Sequence, residues 1–166
     1  LGTGSGALAL ALAHEKPRAR VTATDLSGAA LEVARGNAEA LDLAQGVRFI
    51  EGSLFEPVAG EQFDLIVSNP PYLAQSRASA LPPELAHEPA EALFGGEDGL
   101  AILRPLFAQA RERLAPGGWL IVEVDPDQAK AGMDWAVASG LGEAAAIKDL
   151  SGQSRAVVAR RGMERA

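Results

Sequence analysis

The chain has 166 residues, enough for one domain of ordinary size around a single hydrophobic core. Its 22 acidic and 15 basic residues give a formal net charge of -7, which disfavours a general nucleic-acid binder held by phosphate contacts. Apolar residues at 48% exclude wholesale disorder, zero cysteines exclude disulfides, thiolate zinc sites and a cysteine nucleophile, and two histidines, His14 and His87, exclude a histidine-rich metal site. No apolar run reaches the roughly 18 residues a membrane helix needs. No basic segment leads into an apolar stretch, so a cytoplasmic location is expected, with no metal and no membrane partner.

The chain opens at Leu1 directly on a glycine loop, Gly2-Thr3-Gly4-Ser5-Gly6. A strand is expected before such a loop, so the sequence reads as one that lacks an N-terminal portion. Ala7 to His14 alternates Ala and Leu; both are strong helix formers, and a helix is expected despite the alternation. Lys16 to Arg20 is a turn around Pro17, and Val21-Thr22-Ala23-Thr24 is a short β-branched strand with Asp25 at its tip. Ser27 is placed to cap a helix over about Gly28 to Leu41, with Leu31, Ala34, Ala38 and Leu41 on one face. Val47 to Ile50 is the next strand, followed by a loop through Pro57.

Phe63 to Val67 is apolar apart from Asp64 and reads as a buried parallel strand ending in Ser68-Asn69-Pro70-Pro71-Tyr72. Residues 73–96 look irregular, and a loop of that length in a compact domain is usually functional. Asp98 to Leu114 reads as an amphipathic helix interrupted at Pro105, with Leu100, Leu103, Leu106, Phe107 and Ala110 on one face. Pro116-Gly117-Gly118 is a turn, Trp119 to Val124 a strand, and Asp127 to Ser139 a helix closed by Gly140. Ala144 to Lys148 and Arg155 to Ala159 are the last strands; the turn around Ser151-Gly152 is too short for a crossover, so they should pair antiparallel. Trp119 and Trp135 are expected in packing, and Arg160, Arg161 and Arg165 on solvated surface. His87 is expected to be an exposed polar residue of the long loop.

Strands alternating with helices predict an α/β fold, a mostly parallel sheet with an antiparallel last strand and helices on both faces. Ligands bind such sheets at the carboxyl ends of the strands, where the glycine loop, Asp25 and Asn69–Tyr72 all fall. Glycines permit positive φ and close backbone approach to a ligand. A carboxylate at the tip of the next strand can accept the hydroxyl protons of a ribose, so loop and acid together indicate an adenosine-containing cofactor. Asn69-Pro70-Pro71-Tyr72 suits a different task. An amide or base-amine nitrogen is a poor nucleophile because its lone pair is delocalised. The Asn69 side-chain oxygen and the Pro70 carbonyl can accept from its two N–H groups, the prolines fix where that carbonyl points, and Tyr72 can pack on the planar group. This is catalysis by positioning and preorganised electrostatics, without proton abstraction.

Leu1–Gly6, Asp25, Gly52-Ser53-Leu54-Phe55-Glu56-Pro57 and Ser68–Tyr72 resemble the class I S-adenosylmethionine-dependent methyltransferases. More narrowly, Glu88-Pro89, Ala92–Leu100, Leu114–Gly118 with Glu123, and Asp149-Leu150-Ser151-Gly152 with Arg155 resemble the HemK/PrmC-type protein-(glutamine-N5) methyltransferases. The resemblance covers nearly the whole chain, as a methyltransferase catalytic domain over residues 1–166. It implies S-adenosyl-L-methionine as cofactor and methylation of the glutamine in the Gly-Gly-Gln motif of class I peptide chain release factors. The alternatives are an amine methyltransferase acting on a nucleic-acid base, or a catalytically silent cofactor-binding fragment.

Carried onto this chain, the resemblance implies Asn69, Pro70 and Tyr72 as catalytic residues. Gly2, Thr3, Gly4, Gly6, Asp25, Leu26, Ser53, Leu54 and Asn69 would bind the cofactor, and Asn69, Pro70, Pro71, Tyr72 and Glu88 the substrate. The chain departs from the family pattern in three places. The acid that precedes the glycine loop is not present, Ser53 stands where relatives often carry Asp, and Glu123-Val124-Asp125 replaces Glu-x-Gly. The family's helical N-terminal domain is not part of the sequence.

Overall fold

The computed structural model describes residues 1–82 and 88–163. It resolves into two compact units, Leu1–Ala59 and Gly60–Ala166.

In the first unit, helix α1 spans Ala7–Glu15, strand β1 Val21–Asp25, helix α2 Gly28–Ala40 and strand β2 Val47–Glu51. β1 and β2 pair in parallel, from Val21 opposite Val47 to Asp25 opposite Glu51. A parallel pair must be joined by a crossover, which α2 supplies. Helix propensity overrides the Ala/Leu alternation of α1, which buries Ala9, Leu10 and Ala13 with Ala23, Ala38 and Val47. Ser27 caps α2 as its sequence predicts: its hydroxyl oxygen accepts from the Ala30 N–H at 3.2 Å. Leu31, Ala34 and Ala38 are buried, but the helix ends at Ala40 and Leu41 is exposed.

The second unit is a four-stranded sheet of order β3-β4-β6-β5, with β3 at Phe63–Ser68, β4 at Leu114–Glu123, β5 at Gly142–Lys148 and β6 at Ser154–Arg160. β3 and β4 are parallel, β4 and β6 antiparallel, and β5 and β6 antiparallel, as the short turn between the last two requires. Helix α3 covers Ala90–Leu93, α4 Leu103–Arg113 and α5 Ala129–Ala138. The core buries Leu103, Leu106, Phe107 and Ala110 of α4 with Leu120, Val122 and Val157 of the sheet.

Several expectations are corrected in this unit. β3 is only partly buried, with Asp64 and Leu65 exposed. Residues 73–96 are not wholly irregular: a 3-10 helix runs Gln75–Ala80 before α3. The amphipathic helix begins at Leu103, not Asp98, and Pro105 lies in its first turn, where a missing N–H costs nothing. Pro116-Gly117-Gly118 does not precede β4 but bulges within it. Phe63 pairs with Leu114 and Leu65 with Trp119, so the segment between loops out of register. The last expected helix divides into a 3-10 turn, Pro126–Gln128, and α5, because Asp125 and Gln128 form a capping box ahead of it.

Arg160 and Arg161 are not merely solvated. The Arg160 Nε donates to the Gly117 carbonyl at 3.2 Å, with its guanidinium over the Trp119 ring, and the Arg161 Nη1 donates to the Leu114 carbonyl at 2.6 Å. Both fasten the irregular start of β4. Trp135 packs on Phe107 at 6.1 Å, as expected. The expectations for His87 and Arg165 lie outside the described residues.

Candidate active site

The first unit assembles its loops around the tip of β1. The Thr3 N–H donates to the Thr24 carbonyl at 3.0 Å, and the Gly52 N–H to the Asp25 carbonyl at 2.9 Å. The buried Thr24 hydroxyl donates to the Leu54 carbonyl at 3.4 Å. The glycine loop, Asp25 and Ser53-Leu54 are thereby brought together.

The glycines divide the work. Gly2 and Gly4 have φ of 60° and 55°, and a Cβ on either would meet nothing within 4 Å, leaving bare backbone before open space. Gly6, also at positive φ, instead lies against α2, where a Cβ would come within 3.1 Å of that of Ala34. Gly6 therefore serves packing, while Gly2 and Gly4 leave room for a ligand.

Asp25 does more than its strand-tip position suggests. Its Oδ2 accepts from the Gly4 N–H at 2.8 Å and its Oδ1 from the Ser27 N–H at 2.9 Å. It ties the glycine loop to the start of α2, and each oxygen keeps further lone-pair capacity for a hydroxyl donor. Thr3 is half-buried within the loop and Leu26 is largely exposed beside Asp25. Leu54 adopts φ 45°, unusual for a residue with a side chain, which marks the turn after β2 as locally strained.

In the second unit, β3 carries the chain into a buried Ser68 and then into Asn69-Pro70-Pro71-Tyr72. Asn69 is exposed and Pro70 buried. Among the described residues, neither the Asn69 side chain nor the Pro70 carbonyl has a hydrogen-bond partner. The neighbouring main chain is engaged at several points. The Tyr72 carbonyl accepts from Gln128 Nε2 at 2.8 Å, the Leu73 N–H donates to the Leu93 carbonyl at 3.0 Å, and the Gly95 N–H to the Leu73 carbonyl at 3.0 Å. The Tyr72 hydroxyl donates to Glu123 Oε1 at 3.1 Å. Burial, and then the Glu123 carboxylate, raise the phenol above its ordinary pKa of 10.0, so it stays a neutral donor.

Segment 94–99 embraces this turn. A Cβ on Gly95 would fall 2.5 Å from the Pro71 carbonyl oxygen, and one on Gly99 would collide with that of Tyr72. These glycines are spacers for close backbone approach. Glu88 is exposed, and no hydrogen bond among the described residues joins it to Asn69–Tyr72. Gln128 was not singled out from the sequence. Its one signal is the Asp-Pro-x-Gln pattern of a capping box, which marks a helix start and not a site.

An α/β chain with a glycine-loop cradle and an Asn-Pro-Pro-Tyr turn at its strand ends has the class I methyltransferase fold. A solved methyltransferase from Pyrococcus furiosus shares that fold at a TM-score of 0.72 and 23% identity, over 98% of this chain and 73% of its own. Residues 1–98 match the methyltransferase small domain family, and the chain belongs to it. Among curated proteins it is 48% identical over 160 residues to the release factor glutamine methyltransferase of Xylella fastidiosa, covering 96% of this chain and 58% of that protein. It is likewise 48% identical to the enzyme of the same name from Deinococcus radiodurans, over 97% of this chain and 56% of that one. The chain thus spans somewhat over half the length of these relatives.

Proposed function

We propose that residues 1–166 act as a catalytic domain that methylates the side-chain nitrogen of the glutamine in the Gly-Gly-Gln motif of class I release factors, with S-adenosylmethionine as donor. The names of the relatives support this substrate, and one structural observation supports the chemistry. The Asn69 side chain and the Pro70 carbonyl, the two acceptors the reaction needs, have no partner among the described residues, while the nearby Tyr72 and Leu73 carbonyls are paired. The net charge of -7 further favours a protein substrate over a polyanionic one.

S-adenosylmethionine supplies an electrophilic methyl group on a sulfonium. The open ground before Gly2 and Gly4 fits such a cofactor. Gly2, Thr3 and Gly4 would form the cradle with Gly6 packing its base against α2, Asp25 would offer its remaining lone pairs to the ribose hydroxyls, and Leu26, Ser53 and Leu54 would flank the adenine. Asn69 Oδ1 and the Pro70 carbonyl accept from the two N–H groups of the glutamine amide and hold its nitrogen for attack on a methyl carbon. The N–C bond would form as the C–S bond breaks, the neutral thioether would leave with that bond's electron pair, and one N–H proton would pass to solvent. Pro71 holds the turn rigid and Tyr72 covers the amide plane, excluding water. Glu88 contacts the substrate protein. Because the acceptors are set before the substrate arrives, little reorganisation is needed at the transition state.

The test is Asn69→Ala in single-turnover methyl transfer to a release factor, with the product read by mass spectrometry. The parent should place one methyl on the Gly-Gly-Gln glutamine. Asn69 is exposed and its side chain has no partner among the described residues, so its truncation should leave stability within about 0.5 kcal/mol. The rate should fall on the order of 10²-fold, by analogy with loss of one oxyanion-hole donor. A rate within about threefold of the parent would reduce Asn69–Tyr72 to a strand-closing turn, and methyl found on adenine would move the substrate to nucleic acid.

A further inference from the structure

We infer that Gln128 is a positioning residue for methyl transfer: its side-chain amide sets the main chain at Tyr72 and, through it, the direction of the Pro70 carbonyl. The inference rests on the methyl-transfer reading above, though its first assay does not. Gln128 Nε2 donates to the Tyr72 carbonyl at 2.8 Å and lies 3.4 Å from that of Gly99. Its Oε1 accepts from the Asp125 N–H at 3.1 Å. The amide therefore uses both ends, joining the backbone at Tyr72, Gly99 and Asp125. Gly99 permits this approach, since any side chain there would strike the Tyr72 carbonyl and come within 3.0 Å of Gln128 Nε2.

The other end of Tyr72 is held from the same segment, because its hydroxyl donates to Glu123. Glu123–Gln128 thus grips Tyr72 at main chain and phenol together. Between this grip and the end of β3 at Ser68 lie Asn69 and two prolines whose φ is fixed by their rings. With so few free dihedrals, the Pro70 carbonyl follows from where Ser68 and Tyr72 are held. The segment is itself braced: Asp125 Oδ2 accepts from Arg77 Nη1 at 2.7 Å, and Asp125 Oδ1 from the Asp127 N–H at 3.2 Å.

Tyr72 is the only tyrosine in the chain, so its ionisation can be followed directly by the ultraviolet absorbance of tyrosinate. The charged groups facing the phenol are Glu123, Asp125 and Arg155. Gln128→Ala, and the near-isosteric Gln128→Met should the first not fold, leave all three in place. Either variant should lower the Tyr72 titration midpoint toward its ordinary value and reduce kcat about tenfold, with affinity for S-adenosylhomocysteine within about twofold of the parent. An unmoved midpoint, or a moved midpoint with unchanged kcat, overturns the inference, as does a loss confined to thermal stability. Were the parent itself to transfer no methyl group, the methyl-transfer reading would fall, and a lowered midpoint would still assign Gln128 to holding Tyr72.

Discussion

Replacing Asp25 by Ala should weaken two things at once, and the structure separates them. The carboxylate accepts from the Gly4 and Ser27 N–H groups at 2.8 and 2.9 Å. A hydrogen bond to a charged acceptor contributes about 1.5–3 kcal/mol when well shielded. Asp25 is half-exposed and water can replace part of each bond, so about 2 kcal/mol for the pair is a reasonable figure. That loss falls on the glycine loop and not on the whole fold. It should appear as hydrogen exchange roughly 30-fold faster at the Gly4 and Ser27 amides without ligand, while amides in the β3–β4 pairing are unchanged. The ribose contacts proposed for the same carboxylate add a comparable loss on the bound side, on the order of 10²-fold in the dissociation constant of S-adenosylhomocysteine by calorimetry. Weaker binding with unaltered exchange would refute the clamp on the loop. Faster exchange with unaltered affinity would refute the ribose contact.

Gly99→Ala and Gly2→Ala form a contrasting pair. The first drives a Cβ into the Tyr72 carbonyl at φ 77° and should cost about 3 kcal/mol in thermal or denaturant unfolding. The second meets open space and should cost about 1 kcal/mol, the strain of a left-handed backbone, while weakening cofactor binding; equal stability losses would deny the division of roles among the glycines. At the β5–β6 turn, the Ser151 hydroxyl foremost, with the Gln153 and Ser151 N–H groups and Arg155, lowers the Asp149 carboxyl from 3.8 to about 2. A lowered folded-state pKa stabilises above the ordinary value and is lost as pH falls through the folded one. Parent stability should therefore drop between about pH 4 and pH 2, and Asp149→Asn should flatten that drop in acid unfolding curves; an unchanged curve would show that the turn does not depend on the charge.

The sequence is most legible where one physical signal dominates. β-branched Val21–Thr24 gives β1, Ser27 gives the cap of α2, and the turn at Ser151-Gly152 forces β5 and β6 antiparallel. It misleads where two signals compete. Leu41 continues the apolar spacing of α2, but a helix end depends on local termination, and the Leu41 N–H closes the helix on the Asn37 carbonyl while its side chain stays in water. Pro105 reads as a helix break when the starting turn is unknown, and becomes an ordinary first-turn proline once the helix begins at Leu103. Arg160 and Arg161 look like surface charge because a backbone bulge needing side-chain donors leaves no pattern in the sequence. The site shows the same divide. Asn69, Pro70 and Asp25 stand out because their residue types carry chemistry at strand ends. Gln128 and Gly99 act on backbone carbonyls far along the chain, and a contact to a carbonyl is independent of the identity of the residue that owns it.

Both units solve one physical problem in the same way. A loop at the carboxyl end of a strand has left the ladder that pairs its backbone, yet a site built there must hold its N–H and C=O groups in fixed directions. Asp25 takes loop donors at the end of β1, and Gln128 gives to loop acceptors beyond β3; each is a side chain doing what a neighbouring strand would otherwise do. The substitution is selective. Pairing every group would leave nothing for a ligand, and pairing none would let the loop wander. In the second unit the Tyr72 and Leu73 carbonyls are taken while, among the described residues, nothing pairs the Asn69 side chain or the Pro70 carbonyl. Rigidity beside open acceptors is what the proposed methylation of an amide nitrogen requires. That nitrogen has two N–H groups to be held and a weak lone pair that gains reactivity only if the holding is done in advance.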